Sequence, residues 1–252
     1  MSVTVPAPAV PAKAMVLAAG LGTRMRPITN SIPKCLVSVG GRTLLDRALD
    51  RVAEAGVPTA VVNVHHLADQ VRAHLESRSE PAISLSDESG ELLETGGGIV
   101  KALPLLGDDP FFVLNSDCIV LNGVRPALLN LADAWNAERM DALLLLARSV
   151  TAHGYDGLGD FFMDIEGRIR RREENEVAPY IYSGVMLVHP RLFQDAPEGA
   201  FSLNVLFNRA IEAGRLFGLS HDGEWYHVGT PQAIEDTERQ LLLGEDSTAS
   251  DQ

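Results

Sequence analysis

The sequence predicts an α/β fold, with a largely parallel sheet and helices on both faces of that sheet. Apolar, β-rich runs alternate along the chain with segments of helical periodicity, as in parallel strands joined by crossover helices. The chain has 252 residues, of which 46% are hydrophobic and 22% are charged. This balance is that of a globular protein. We expect one domain at residues 13–243, between flexible tails at 1–12 and 244–252.

The first 150 residues supply most of the predicted sheet. Residues 14–19 form a short, continuous apolar run, which indicates a buried central strand. Thr43, with Asp46 three residues later, resembles a capping box at the start of a helix, and Gly56 stands where that helix would end. The other elements predicted in this part are strands at 60–64, 83–86, 111–114 and 142–147 and helices at 68–75, 98–103 and 124–138.

The remainder of the chain is more mixed in pattern. Residues 161–165 and 168–172 can pair as an antiparallel hairpin around the dipeptide Glu166-Gly167. Pro231 suits the first turn of a closing helix. The elements predicted after the hairpin are strands at 181–188, 216–219 and 225–228 and helices at 203–213 and 230–243.

Charge and cysteine content exclude several classes of function. The formal net charge is −13, whereas nucleic acids and anionic membranes attract a basic face, so neither is an expected partner. The chain has two cysteines, and they form no CxxC motif, so a disulfide framework and a structural zinc site are excluded. Two free thiols indicate a reducing compartment, and we therefore expect the protein in the cytoplasm. No apolar run approaches the roughly 20 residues of a membrane span, and no signal peptide is expected.

The cations of the N-terminal segment point to a bound anion. The first 45 residues contain five Lys or Arg residues, and the first carboxylate of the chain is Asp46. Ligands of open α/β sheets bind beyond the carboxyl ends of the strands. Two features fall at such ends, the loop of Gly20 and Gly22 and the acid Asp117. The loop is not a dinucleotide fingerprint, because Met25 takes the place of the third glycine, and no P-loop string occurs.

The residues around this loop nevertheless suit a polyphosphate. Glycines let backbone N–H groups approach phosphate closely. Thr23 adds a hydroxyl donor and Arg24 a bidentate fork for phosphate oxygens. Lys34, one of only three lysines, adds a point charge at the end of the loop. The segment therefore predicts a triphosphate site.

At these residues the sequence resembles the sugar-1-phosphate nucleotidyltransferases. The resemblance spans nearly all of residues 13–243, and it implies a Rossmann-like three-layer α/β/α fold with a mixed, mainly parallel central sheet. It also implies that a nucleoside triphosphate and a sugar 1-phosphate react to give a nucleotide sugar and pyrophosphate. The matching strings are LAAGLGTR at 17–24, Pro33-Lys34, LETGGG at 93–98, Asn115-Ser116-Asp117, Tyr182-Ser183-Gly184 and WYHVGT at 225–230.

Within that family the chain is most similar to short enzymes that uridylylate N-acetylmuramic acid 1-phosphate in peptidoglycan recycling. UTP and that sugar phosphate are therefore the expected substrates. A mannose-1-phosphate guanylyltransferase and a hexose-1-phosphate thymidylyl- or uridylyltransferase remain alternatives, and a sensor that binds nucleotide sugars is the non-enzyme alternative. A monomer or small homo-oligomer is expected.

The resemblance also implies roles for individual residues. Arg24, Lys34 and Asp117 form the implied catalytic set, in which Asp117 ligates Mg²⁺ or, as an alternative, Mn²⁺. Glu94, Ser183 and Gly184 line the implied sugar pocket. The implied nucleotide-binding residues are Ala18, Ala19, Gly20, Gly22, Thr23, Arg24, Gly96 and Gly97.

The sequence departs from the family at two points. Relatives carry a second metal-binding Asp where this chain has His227, and a neutral imidazole is a poor ligand for Mg²⁺. His227 is therefore a ligand for a softer ion, a residue that holds the metal through water, or a hydrogen-bonded structural residue without a role in metal binding. Longer relatives have a Glu-Lys-Pro whose lysine contacts the sugar phosphate, but residues 173–179 contain no lysine. The Arg168 to Arg172 cluster either compensates or forms a solvated hairpin edge.

Overall fold

The apolar runs of the sequence become the strands of one large sheet. The structure, a computed structural model, describes the backbone of residues 10–249 and the side chains of residues 10–243. Residues 1–9 and 250–252, which belong to the predicted tails, lie outside this range. The strands are β1 (Lys13–Leu17), β2 (Ser38–Val39), β3 (Arg42–Thr43), β4 (Thr59–Val64), β5 (Ala82–Asp87), β6 (Phe111–Asn115), β7 (Cys118–Val120), β8 (Ala142–Arg148), β9 (Phe161–Met163), β10 (Ile169–Arg171), β11 (Tyr180–Val188), β12 (Leu216–Ser220) and β13 (Trp225–His227).

Within residues 10–249, the main sheet has nine strands and is mixed but mainly parallel. Its central order is β5, β4, β1, β6, β11, β8 and β12. All of these pair in parallel except β11, which runs antiparallel to both β6 and β8. The predicted hairpin is present as β9 and β10, and it joins the sheet at Tyr180 of β11. Two small pairs, β2 with β3 and β7 with β13, lie outside the main sheet.

Helices cover both faces of the sheet, as the sequence predicts. Alternate residues of one strand enter different cores: Val16 packs in one apolar cluster and Met15 in the other. The first cluster takes residues from the helices Leu44–Glu54, Ala68–Leu75 and Ala127–Ala134, and the second from the helices Glu94–Leu106 and Asn204–Glu212. Among residues 10–249, no helix is both long and apolar enough to cross a bilayer. The helices are α1 (Leu44–Glu54), α2 (Ala68–Leu75), α3 (Glu94–Leu106), α4 (Ala127–Ala134), α5 (Asn204–Glu212) and α6 (Pro231–Ala249).

Helix boundaries follow local chemistry, and three of the predicted helices have wrong boundaries. The Oγ1 of Thr43 accepts the N–H of Asp46 at 3.0 Å, so the predicted cap of α1 is confirmed. The helix predicted at 124–138 is shorter because Pro126 precedes its first turn and Trp135 is already extended. The closing helix α6 continues six residues beyond its predicted end, to Ala249.

The third correction concerns α3, which begins four residues earlier than predicted and contains Pro104. Its first turns include three consecutive glycines that allow close packing. A Cβ on Gly96 would lie 2.3 Å from the ring of Phe201, and one on Gly97 would lie 2.3 Å from the carbonyl oxygen of Gly199. The glycines are helix breakers by propensity, but here their lack of side chains lets α3 approach the loop before α5.

Gly97→Ala is expected to destabilise the fold. Alanine favours a helix by about 1 kcal/mol over glycine, but the clash with a backbone oxygen cannot be relieved by a side-chain rotation. We expect a net loss of about 2 kcal/mol and a melting temperature lowered by about 4–8 °C in a calorimetric scan. Gly90→Ala is the matched control, since a Cβ there meets no atom within 4 Å. Equal melting temperatures for the two variants would contradict this explanation.

Candidate functional site

A cleft opens at the carboxyl edge of the sheet, where the glycine loop and Asp117 were predicted to lie. Its volume is about 420 Å³. The ends of β1, β4 and β6 form its floor, and the segment that leads into α3 forms one wall. The residues that line it are Leu17, Ala18, Ala19, Gly20, Gly22, Thr23, Arg24, Lys34, Cys35, Asn63, Leu92, Glu94, Thr95, Asn115, Ser116, Asp117, Ser202 and Gly229.

Buried side chains anchor the long loop after β1. Met25 and Thr29 are 0% and 1% exposed, respectively. The Oγ1 of Thr29 donates to the carbonyl oxygen of Gly22 at 2.7 Å. Gly22 has a φ of 61°, and a Cβ there would lie 2.8 Å from Thr29 and 2.9 Å from Lys34. The loop therefore needs glycine at this position for two reasons, its backbone conformation and its packing.

The cationic side chains of the loop converge on Asp117. The Nζ of Lys34 donates to Oδ2 of Asp117 at 2.9 Å, with 12% and 35% of the two side chains exposed. Burial by itself would raise the pKa of Asp117, but Lys34, with smaller effects of His227 and Arg24, holds that pKa below its usual value. Asp117 is therefore ionised at neutral pH. Within the described residues, no carboxylate pairs with the exposed guanidinium of Arg24.

His227 lies beside this group, on β13, opposite Cys118. A Cβ on Gly229 would lie 2.9 Å from Cε1 of His227 and 3.6 Å from Cζ of Arg24. Both side chains therefore lie next to Gly229, which lines the cleft together with Arg24. Burial lowers the pKa of His227; Asp117 opposes this effect, while Arg24 and Lys34 add to it. The imidazole is therefore neutral at pH 7. It also stacks on Trp225, with ring centroids 6.0 Å apart.

These residues suit a magnesium ion that is held jointly by protein and substrate. Among the described residues there is no group of three His, Cys, Asp or Glu side chains that could hold a metal alone. Mg²⁺ is commonly bound through one or two carboxylates and the phosphates of its substrate. Asp117 supplies an ionised carboxylate in a cleft that also carries Arg24 and Lys34. The donor set thus fits a divalent cation that is shared with substrate phosphates, with the carboxylate of Asp117 as the available protein donor.

Some predicted site residues lie beneath the cleft instead of lining it. The N–H groups of Gly96 and Gly97 donate to the carbonyl oxygen of Phe201, at 2.9 and 3.4 Å. Ser183 is 0% exposed, and its carbonyl oxygen accepts hydrogen bonds from neighbouring side chains. Gly184 packs against Asn115, because a Cβ on Gly184 would lie 3.0 Å from the Cβ of Asn115. Their roles in ligand binding stay predictions, whereas their packing is part of the structure.

Other candidates take structural positions. The cysteines are free and buried, and burial raises the pKa of Cys35 to about 12 and that of Cys118 still further. The arginine cluster of the hairpin is tied to its own surroundings: Arg170 makes two hydrogen bonds to Glu176, at 2.6 and 3.0 Å. Arg171 donates to two asparagines of α5. Their local hydrogen bonds favour the hairpin-edge interpretation, and a contact of the cluster with substrate stays a prediction.

Sequence reasoning missed several residues of the cleft. Asn63 is a buried polar residue within the apolar strand β4, and that contrast was a usable signal. Thr95 and Ser202 reach the cleft from α3 and from the loop before α5. No local pattern marks Ser202, because its place depends on the tertiary packing of that loop.

Known proteins resemble this chain over most of its length. The family model described as nucleotidyl transferase matches residues 13–243. The N-acetylmuramate alpha-1-phosphate uridylyltransferase of Caulobacter vibrioides is 48% identical over 227 residues, which cover 88% of this chain and 94% of that protein. The enzyme of the same name from Neisseria meningitidis serogroup B is 34% identical over 235 residues, covering 92% and 98%.

A solved structure shares the fold at lower identity. The inositol-1-phosphate CTP transferase of T. maritima has a TM-score of 0.74 at 18% identity, covering 92% of this chain and 97% of that one. Its likeness concerns the fold alone, whereas the family match extends over the whole domain and includes every residue of the cleft. The chain belongs to the nucleotidyl transferase family, and it is an enzyme of the sugar-1-phosphate nucleotidyltransferases.

Proposed function

We propose that this enzyme transfers a uridylyl group from UTP to N-acetylmuramic acid 1-phosphate, in the cytoplasm. The observation that carries the proposal is the convergence of Arg24, Lys34 and Asp117 in one cleft at the carboxyl edge of the sheet. Two cations and an ionised carboxylate suit a triphosphate with its metal. The choice of UTP and of the sugar is supported by the names of the two relatives that match nearly the full length of the chain.

The reaction would be an in-line displacement at phosphorus. An oxygen of the sugar phosphate attacks the α-phosphorus of UTP, a new P–O bond forms, and the bond to the β-phosphate oxygen breaks. The leaving group is pyrophosphate. Because the attacking oxygen already carries negative charge, no residue has to remove a proton. Catalysis then depends on positioning and on the neutralisation of charge.

The two cations of the cleft would each stabilise phosphate charge in this step, and the carboxylate of Asp117 would hold the metal ion. Lys34, at the end of the loop, would neutralise the α-phosphate and the attacking phosphate, which otherwise repel each other. Arg24 has no carboxylate partner among the described residues, and its fork of donors would hold the departing β- and γ-phosphates. Asp117 would ligate Mg²⁺, which supplies further neutralisation of phosphate charge when it is bound.

The sugar would lie toward Glu94, at the start of α3. This residue is exposed, lines the cleft and has a φ of 57°, a left-handed conformation that residues other than glycine seldom adopt. Such strained residues often occur at ligand sites. The carboxylate of Glu94 can accept hydrogen bonds from sugar hydroxyl or amide groups.

A pyrophosphate-release assay tests this function. The enzyme with Mg²⁺ would be incubated with UTP, GTP, dTTP or CTP, each paired with N-acetylmuramic acid, mannose and glucose 1-phosphates. We expect the highest kcat/KM with UTP and N-acetylmuramic acid 1-phosphate. A higher kcat/KM with GTP and mannose 1-phosphate would assign the guanylyltransferase alternative instead. No release with any pair, together with tight binding of a nucleotide sugar, would assign the sensor.

A further inference from the structure

The side chain of Asn63 links β4 to the backbone of the glycine loop. Its Oδ1 accepts the backbone N–H of Ala18 at 2.7 Å, and its Nδ2 donates to Oε1 of Glu88, also at 2.7 Å. Asn63 is only 2% exposed. Both ends of the amide have a partner, so its orientation is determined and the group is held rigidly.

Glu88 is the other half of this pair and is 0% exposed. Its backbone N–H donates to the carbonyl oxygen of Val64 at 2.8 Å, and its own carbonyl oxygen accepts Nδ1 of His65 at 2.6 Å. Its Oε2 lies 3.4 Å from the backbone nitrogen of Leu93. A buried carboxylate is costly unless donors surround it, and here those donors come from β4 and from the approach to α3.

The pair also explains the third glycine of α3. A Cβ on Gly98 would lie 2.8 Å from Oε1 of Glu88 and 3.0 Å from Nδ2 of Asn63. The absence of a side chain lets α3 pack directly on the pair. Three parts of the cleft thus meet at one buried contact: the start of the glycine loop at Ala18, the end of β4, and the segment before α3.

We propose that the Asn63–Glu88 pair positions the nucleotide by setting the backbone at Ala18 against the start of α3. The inference rests on the proposed function, and it takes Ala18, Ala19 and Gly20 as nucleotide-binding residues, as the family resemblance implies. Both are positioning residues, since Asn63 acts through Ala18 and Glu88 acts through Asn63. Their loss should weaken the binding of the nucleotide much more than that of the sugar phosphate.

An exchange of donor and acceptor tests the pair. Asn63→Asp keeps the shape of the side chain and its acceptor for Ala18, but sets a second carboxylate against Glu88. We expect KM for the nucleoside triphosphate to rise about tenfold or more, with kcat and KM for the sugar phosphate within about twofold of wild type. Adding Glu88→Gln restores the hydrogen bond in reverse, because the new amide donates to the new carboxylate. The double variant should recover KM to within about threefold.

Other variants separate positioning from stability. Asn136→Asp is the matched control, as Asn136 is an exposed turn residue whose Oδ1 accepts backbone N–H groups, and aspartate accepts them equally. Asn63→Ser adds no charge and should raise the nucleotide KM even if Asn63→Asp does not fold. A merely structural role would lower the melting temperature and the active fraction while leaving both KM values unchanged. That result, or a folded double variant without recovery, would overturn the proposal.

Calorimetric titration of UTP into the same variants gives a readout that does not need turnover. If the wild type binds UTP but releases no pyrophosphate, the proposed function fails while the pair is still tested by the dissociation constants. Weaker binding in Asn63→Asp, restored by Glu88→Gln, would then support the pair. Equal dissociation constants in all variants would overturn it.

Discussion

Lys34→Met is expected to abolish nucleotidyl transfer without unfolding the protein. Lys34 is one of two cations that line the cleft, and its ammonium group lies 2.9 Å from Asp117, at the centre of the proposed reaction. Two phosphate groups must approach each other there, and removing one preorganised donor or charge from such a site costs about 10²–10³-fold in kcat. Methionine keeps the apolar stem that packs against Gly22, so the loop retains its packing. Steady-state pyrophosphate release measures the loss.

The matched control is Lys13→Met, at the start of β1, the strand whose other end leads into the glycine loop. The Nζ of Lys13 donates to the carbonyl oxygen of Leu105 at 2.7 Å, far from the carboxyl edge of the sheet. Its kcat should match that of the wild type. Asp117 loses its partner in Lys34→Met, but its side chain is 35% exposed, so water can solvate the carboxylate and the melting temperature should change little. A folded Lys34→Met enzyme that keeps more than about a tenth of the wild-type kcat would contradict the assigned role.

The sequence predicted the layers of the fold because strand periodicity is a local property. Val16 and Met15, neighbours in one apolar run, face opposite cores, and both faces must then be covered. The start of α3 could not be predicted in the same way. Gly96 and Gly97 lower helix propensity, and only their contacts with Phe201 and Gly199, a hundred residues away in sequence, show why a helix forms there.

The residues of the candidate site also differ in whether local sequence could predict them. Lys34 and Asp117 could be predicted because each follows a strong local pattern, and the sheet brings such positions to one edge. The burial of Ser183 could not, since it depends on the bulge of β11 against β8 and on contacts of its carbonyl oxygen with Cys118 and Trp225. Motifs of this kind combine residues that contact ligand with residues that support them, and sequence alone does not separate the two.

Asp117→Asn is expected to remove metal-dependent turnover. Aspartate is a hard, anionic oxygen ligand, whereas the amide that replaces it carries no charge. Asparagine has the same shape, and its side-chain oxygen can still accept the ammonium group of Lys34, so the protein should fold. We expect kcat to fall about 10²–10³-fold, and the affinity of the enzyme–UTP complex for Mn²⁺ to fall about tenfold or more. Electron paramagnetic resonance of free Mn²⁺ measures that affinity.

The Mn²⁺ measurement distinguishes two roles of Asp117 that turnover alone would confuse. If Asp117 served only to hold Lys34, the variant would lose activity but keep its affinity for Mn²⁺, and the assigned role as a ligand would be wrong. Asp164→Asn is the matched control, because Asp164 caps the hairpin turn through backbone N–H groups that an amide oxygen can also accept.

The same titration with His227→Asp shows whether the neutral imidazole takes part in metal binding. A carboxylate at this position should favour Mg²⁺ over Mn²⁺ if residue 227 touches the ion, since imidazole suits softer metals. An unchanged preference would make His227 a stacked neighbour of Trp225 and leave Asp117 as the protein's ligand.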